Sequence, residues 1–240
     1  MYLQPIQNSL QELETVIIAD RCETINDYAF SGCRNLQNVR CGTDNAYIGN
    51  YAFANCAELD NMHFGENLYT IGDFAFYNCT KFVLISKFPD TLNSIGNNAF
   101  MNCESLDTID LDNTQLVKIG DSAFSECESL VSITLPESIT EIGYDAFWYC
   151  SSLTAFYGKY ASEDNKSLIK DDVLISYAFG DATEVTIPEG VKEIGNYLFY
   201  NTKQITKVTF ASSVTTIGKY AFAGSGITSL ELPSSVTTIG

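Results

Sequence analysis

The chain has 240 residues, of which 13 are Lys or Arg and 30 are Asp or Glu, so its formal net charge is −17. The apolar fraction of 45 % is enough for a large core and argues against a disordered chain. The acidity argues against nucleic acids and anionic membranes as partners, because both are bound through basic surfaces. No run of about eighteen apolar residues occurs, so we expect no direct membrane insertion. The eight cysteines are compatible with disulfides, a metal site or neither.

The first residues carry no visible secretory signal. Met1-Tyr2-Leu3-Gln4-Pro5 has neither a basic head nor an apolar segment. Either the protein is intracellular or a signal has been removed. Residues 1–12 are polar enough to form a partial N-terminal cap.

A repeat then runs along the chain, marked by the pair Ala-Phe at intervals of 23 or 24 residues, with one interval of 52. The pairs begin at Ala29, Ala52, Ala75, Ala99, Ala123, Ala146 and Ala221, and Leu198-Phe199 is a variant. Each is preceded, four residues earlier, by an Ile. That Ile is followed by Gly in every copy except the first, where Asn26 follows Ile25.

Each unit predicts one coil of a solenoid. Leu-x-x-Ile-x-Leu predicts a short strand, and Val-x-x-Ile predicts a second apolar pair on the opposite wall. Gly and Asn share a tolerance of positive φ, so the slot after Ile predicts a tight left-handed turn. Ala-Phe-x-x-Cys predicts one side of a helical turn, and stacked copies would form a continuous Phe row. Because one unit cannot bury its apolar side alone, we expect about ten coils in a single solenoid over residues 13–240, with parallel strands roughly 4.8 Å apart.

Six cysteines form a predicted structural ladder three residues after the repeat Phe. They are Cys33, Cys56, Cys79, Cys103, Cys127 and Cys150. Thr202 and Ser225 take the slot in later copies, while Cys22 and Cys41 fall in other predicted interior slots. We therefore expect free buried thiols that act as small apolar fillers, and no metal site. Disulfides between adjacent coils are not excluded by strand spacing, although ladder side chains point in parallel.

The unit Leu-x-x-Ile-x-Leu-Pro-x-x-Val-x-x-Ile-Gly-x-x-Ala-Phe-x-x-Cys resembles the BspA-like, or Treponema-type, leucine-rich repeat. The resemblance extends from about Leu13 to Gly240. It implies a right-handed leucine-rich-repeat arc, with a parallel sheet on one face that binds other macromolecules. It also implies a surface or secreted protein, often one that takes part in adhesion to host proteins or to other cells.

The sequence departs from this pattern in two places. Residues 156–182 break the period, and two β-rich runs around Asp171-Asp172 predict a hairpin in an expanded coil. The chain also stops at Ile239-Gly240, before the expected Ala-Phe, so we expect a C-terminus truncated in mid-repeat and a fragment of a larger protein.

Candidate binding residues lie at the strand positions that alternate with the buried Ile and Leu. The candidates are Arg40, His63, Asp110, Thr134, Tyr157, Thr186, Lys207 and Glu231. Asp107, Asp110 and Asp112 have a loose calcium-like spacing but lack the glycine and distal glutamate of a calcium loop, which favours a solvated acidic edge.

The leading hypothesis is a non-enzymatic module of a larger surface or secreted protein, with a protein or glycan as its ligand. The alternative is a structural spacer or assembly element that has no ligand of its own. We expect no catalytic residues and no cofactor, because His63 is the only histidine and no catalytic constellation is visible.

Overall fold

The computed structural model describes residues 12–84 and 87–240. The chain forms two compact units, Met1–Ser151 and Ser152–Gly240. Both are built from coils of short parallel strands joined by turns, which confirms the predicted leucine-rich-repeat solenoid of about ten turns. The predicted helical segments are wrong, because no helix occurs in the described residues. The predicted cap lies almost entirely outside them.

The coils contribute two rows of strands and one hairpin. The first strand row consists of Thr15–Ile17, Asn38–Arg40, Asn61–His63, Thr108–Asp110, Ser132–Leu135, Ala155–Gly158, Glu184–Thr186 and Lys207–Thr209. The second strand row consists of Thr24–Ile25, Tyr47–Ile48, Thr70–Ile71, Ser94–Ile95, Lys118–Ile119, Glu141–Ile142, Glu193–Ile194, Thr216–Ile217 and Thr238–Ile239. The hairpin strands are Ser167–Lys170 and Val173–Tyr177.

In the first unit the repeat positions pair in register from coil to coil. Val16 pairs with Val39, and Val39 pairs with Met62, so the middle residue of each first-row strand faces the interior. In the second row Ile48 pairs with Ile71, which pairs with Ile95. The period of the sequence thus becomes two apolar walls that enclose a continuous core.

The repeat Phe side chains form the predicted row through that core. Phe53 lies 5.4 Å from Phe76 between ring centroids, and Phe76 lies 5.0 Å from Phe100, with ring planes within 7° of parallel. Phe199 and Phe222 repeat this arrangement in the second unit at 5.0 Å. Stacking of buried aromatic rings adds about 0.5–1.5 kcal/mol per pair to the burial of their area.

The segment around the repeat Phe is not helical because its amide groups alternate between two partners. Cys79 N donates to Phe76 O within its own coil at 3.2 Å, whereas Phe76 N donates to Ala99 O in the next coil at 2.7 Å. The residues just before Ala and just before Cys have positive φ, at Phe74 (56°) and Asn78 (60°) in this coil. A left-handed residue every fourth position interrupts the i→i+4 bonds that a helix needs.

The prediction for the glycine that follows each Ile is also wrong. The glycines with positive φ are Gly32, Gly158, Gly180, Gly190 and Gly224, none of which follows a repeat Ile. Glycine is instead required by close approach of the coils. A Cβ at Gly120 would lie 2.5 Å from Asn97 N in the preceding coil. Asn26 takes this slot in the first coil of the described residues.

The second unit contains the expanded coil. Ser167–Lys170 pairs antiparallel with Val173–Tyr177, and the turn residues Asp171 and Asp172 have φ of 52° and 65°. Two consecutive left-handed residues are typical of a tight hairpin turn. Val173–Tyr177 also pairs in parallel with Glu193–Ile194, so the hairpin joins the second strand row.

Candidate binding face

In each unit the outer side of the first-row strands forms a candidate binding face, because the middle residues of these strands point inward. In the first unit Ile17 pairs with Arg40, and Arg40 pairs with His63. All three are exposed, Ile17 at 76 %. The structure therefore brings two candidates, Arg40 and His63, side by side on adjacent coils.

Asp110 and Thr134 lie further along the same unit and are also partners across adjacent strands. Both are partly buried. Asp110 accepts a hydrogen bond from Lys87 Nζ at 2.5 Å, and this bond holds the pKa of the Asp110 carboxyl below its usual value. The structure therefore gives Asp110 an internal partner.

In the second unit the face carries Tyr157, Thr186, Lys207 and Glu231, all exposed. Lys207 Nζ lies 3.2 Å from the Glu184 carboxylate, so it too has a neighbour on the face. The last coil has no first-row strand assigned at Glu231.

The three aspartates with calcium-like spacing form no metal centre. Within the described residues no group of three or more His, Cys, Asp or Glu side chains is placed to hold a metal ion. Asp110 is engaged by Lys87 and by Asp112 N, which donates to Asp110 Oδ1 at 3.2 Å. No chemical role for this cluster follows from its geometry.

The cysteine ladder is a core feature. All eight cysteines are free thiols, and the six predicted ladder residues are buried. Cys79 Sγ donates to Phe53 O of the preceding coil at 3.1 Å, and the same bond recurs from Cys56 to Cys150. Burial raises the pKa of the Cys79 thiol to about 12, so it stays protonated and unreactive near neutral pH. The prediction of an interior position is wrong for Cys22, which is only half-buried.

A second surface feature was missed from the sequence. The residues with positive φ before Ala-Phe are aromatic in the first three coils, and they stack. Ring centroids are 4.9 Å apart from Tyr28 to Tyr51 and 4.6 Å apart from Tyr51 to Phe74, with planes 3° and 4° from parallel. We call Tyr28, Tyr51 and Phe74 the aromatic edge. The signal was an aromatic residue in one slot, but aromatic residues are not expected at positive φ.

The chain matches the family described as BspA type leucine rich repeat region, in six copies, over residues 7–86, 83–164 and 174–240. The match covers well over half of the chain. The protein therefore belongs to the BspA-type leucine-rich-repeat family, as the resemblance in its sequence indicates.

Solved structures show the same fold. A leucine rich cell surface protein from Faecalibacterium prausnitzii is 25 % identical, with a TM-score of 0.73, over 95 % of this chain and 69 % of that one. The pneumococcal vaccine antigen PcpA is 21 % identical, with a TM-score of 0.75, over 94 % of this chain and 62 % of that one. A leucine-rich repeat protein from Bacteroides ovatus is 22 % identical, with a TM-score of 0.50, over 100 % and 82 %.

The remaining comparisons add two facts. Among curated proteins, no sequence matches the chain significantly. Across the described residues, no helix has the length and apolar character needed to span a membrane.

Proposed function

We propose that the chain is a non-enzymatic binding module of a larger surface or secreted protein, and that it holds a protein or glycan ligand on the first strand row. The observation that carries this proposal is the outward row of side chains in coil register, with Arg40 and His63 adjacent. Strands in fixed register present side chains at the regular coil spacing, which reduces the cost of binding an extended ligand. The F. prausnitzii relative, described as a cell surface protein, supports the location, and adhesion is the activity that fits it.

A binding experiment tests the sheet face directly. The chain is presented to arrays of host extracellular proteins and of glycans, and saturable binding of at least one class is expected. Arg40→Ala combined with His63→Ala, or Tyr157→Ala combined with Lys207→Ala, should weaken it by about tenfold. Thr24→Ala is the matched control, because Thr24 is exposed on the second strand row. Binding that persists in both double variants would place the ligand elsewhere.

A structural spacer is the second candidate, and one observation favours it. Charged side chains on the face pair with one another between coils, as Lys87 does with Asp110 and Lys207 with Glu184. A face whose charges are satisfied internally needs no ligand. If folded protein stays silent on every array, the spacer replaces the binding module.

A further inference from the structure

Although its rings are stacked, the aromatic edge of the first unit is exposed or partly exposed to solvent. Tyr28 is 60 % exposed, and Tyr51 and Phe74 are partly exposed beside it. Their left-handed backbone is costly for bulky residues, and later coils fill the same slot with Asn98 and Ser122. Stacking of the rings offsets part of this conformational cost. Stacking does not by itself explain why the side chains are exposed to solvent. Exposed, ordered aromatic side chains are typical of interaction surfaces.

The stacking restricts what can dock on this edge. The rings of Tyr28, Tyr51 and Phe74 cover one another at 4.6–4.9 Å, so no ligand can insert between them. A sugar binds aromatic side chains through an open ring face, and the inner faces are occupied. The faces between the rings are closed to a ligand, and the alkyl stem of a Lys or Arg side chain can lie along the exposed side of the stack.

The negative charge beside the rings indicates what kind of partner this edge can bind. A row of Asp and Asn runs along the same edge, one residue before each positive-φ slot, and it continues past the three rings to Asp121, which precedes Ser122. Asp27 Oδ1 accepts from Asn50 N at 2.7 Å, and Asp73 Oδ1 accepts from Asn97 N at 2.7 Å. Asp121 continues the row by accepting from Tyr144 N at 2.9 Å. None of these three aspartates takes part in an ion pair within the described residues, so their charge is available to a basic partner.

The spacing of the carboxylates suits an extended chain. Asp27, Asp73 and Asp121 stand in alternate coils, and two strand steps span roughly 9.6 Å. Three residues of a polyproline II segment span roughly 9.3 Å, so every third side chain of such a segment meets one carboxylate. We propose that the aromatic edge of the first unit is a second docking surface, and that it binds an extended basic segment of a partner protein with Lys or Arg at every third position.

The second unit provides an internal control. Tyr197 and Tyr220 stack in the same slot at 5.3 Å, but the residues before them are Asn196 and Lys219. That edge has rings without carboxylates, so a basic segment has no reason to prefer it.

The test uses the full chain and a labelled peptide in which every third residue is lysine. Saturable binding at low salt is expected, with weakening of about tenfold in Asp27→Asn/Asp73→Asn/Asp121→Asn, whose amide oxygens keep the backbone bonds. Tyr28→Asn/Tyr51→Asn/Phe74→Asn should weaken it similarly, and Tyr197→Asn/Tyr220→Asn should not. Thermal melting verifies that each variant is folded.

Three results would overturn the proposal. They are equal binding by the aspartate variant, equal binding of a peptide with its lysines in one block, and no binding by the folded parent chain. Arg40→Ala with His63→Ala should leave peptide binding unchanged, so failure at this edge is distinguishable from failure of the sheet face.

Discussion

The two units fill the slot three residues after the repeat Phe with different side chains, and these side chains bond in different directions. In the first unit Cys79 Sγ donates to Phe53 O of the preceding coil at 3.1 Å. In the second unit Thr202 Oγ1 donates to Phe199 O of its own coil at 2.8 Å, and Ser225 does the same. A thiol therefore joins neighbouring coils, whereas a hydroxyl closes the turn on which it stands.

This difference makes the stability of the first unit depend on neutral thiols. All eight cysteines lie before Ser151, and the second unit has none. Six of the eight have a raised pKa: Cys41, Cys56, Cys79, Cys103, Cys127 and Cys150. For Cys79 and Cys150 the cause is burial and the value is about 12.

Alkaline pH should therefore produce the largest contrast between the units. An unfolded thiol ionises near pH 8.5, so a buried thiol stabilises the fold fully below that pH. Its contribution falls as pH rises toward the folded value, by about 1.4 kcal/mol per pH unit and thiol. We expect the first unit to unfold cooperatively between about pH 9 and 11 while the second persists. Hydrogen exchange read unit by unit checks this, and simultaneous loss of both units would contradict it.

The next largest difference in stability between the units should come from the glycine that follows each repeat Ile, where neighbouring coils approach closely. A Cβ at Gly120 would meet backbone atoms of Asn97 and Gly96 at 2.5 Å, whereas at Gly195 the nearest atom is Leu174 O at 2.7 Å and the next is 3.6 Å away. Gly120→Ala should destabilise its unit by about 3 kcal/mol or more, because coils cannot separate without losing their strand pairing. Gly195→Ala should cost clearly less.

Urea unfolding followed by the fluorescence of Trp148, the only tryptophan, reports on Gly120→Ala. Hydrogen exchange reports on Gly195→Ala. Asn26→Ala is the control, because it takes the same slot in the first described coil. If Gly120→Ala and Asn26→Ala prove equally mild, close approach is not the reason for the glycine.

The period made the core predictable but not the turns. It showed which slots share a wall, so the Phe row and the cysteine ladder followed from spacing alone. Glycine after Ile indicated intolerance of a side chain, but sequence does not distinguish positive φ from the 2.5 Å approach found at Gly120. The aromatic edge was missed for the opposite reason. Propensity argues against a left-handed Tyr51, and stacking between coils offsets part of that cost.

Exchanging Cys and Ser in the slot three residues after the repeat Phe tests the comparison of the two units further. Cys103→Ser should destabilise the first unit by roughly 1–2 kcal/mol, because a hydroxyl is buried and the bond to Phe76 O is lost. Ser225→Cys should change the second unit by less than about 0.5 kcal/mol, since Ser225 is only half-buried. Both changes are nearly isosteric, so urea unfolding and hydrogen exchange report the combined effect of burial and of the direction of bonding at the slot. Equal losses of stability in the two units would show that stability does not depend on whether the side chain in this slot bonds to the preceding coil or to its own.

The smallest predicted effect concerns the alternation of Asp and Asn on the aromatic edge. Asn50 Nδ2 lies 3.4 Å from Asp27 Oδ2, and Asn50 Oδ1 accepts from Asp73 N at 2.8 Å, so the amide separates two carboxylates. Asn50→Asp keeps the acceptor but places three carboxylates roughly 4.8 Å apart. We expect a loss of about 0.5–1 kcal/mol at low salt, because each like-charge pair near the surface costs a fraction of that.

The dependence of this stability loss on salt and on pH tests whether charge repulsion is its cause. The loss should shrink in 1 M salt, where the Debye length is about 3 Å, and it should disappear as pH falls and the new carboxyl at position 50 becomes protonated. Like charges raise the folded pKa of the new carboxyl, so its protonation stabilises the variant relative to the parent as pH falls. Asn196→Asp in the second unit, where Lys219 takes the corresponding slot of the next coil, should be neutral. A loss in Asn50→Asp that is unchanged by salt and pH would instead identify the amide donor to Asp27 as the essential feature.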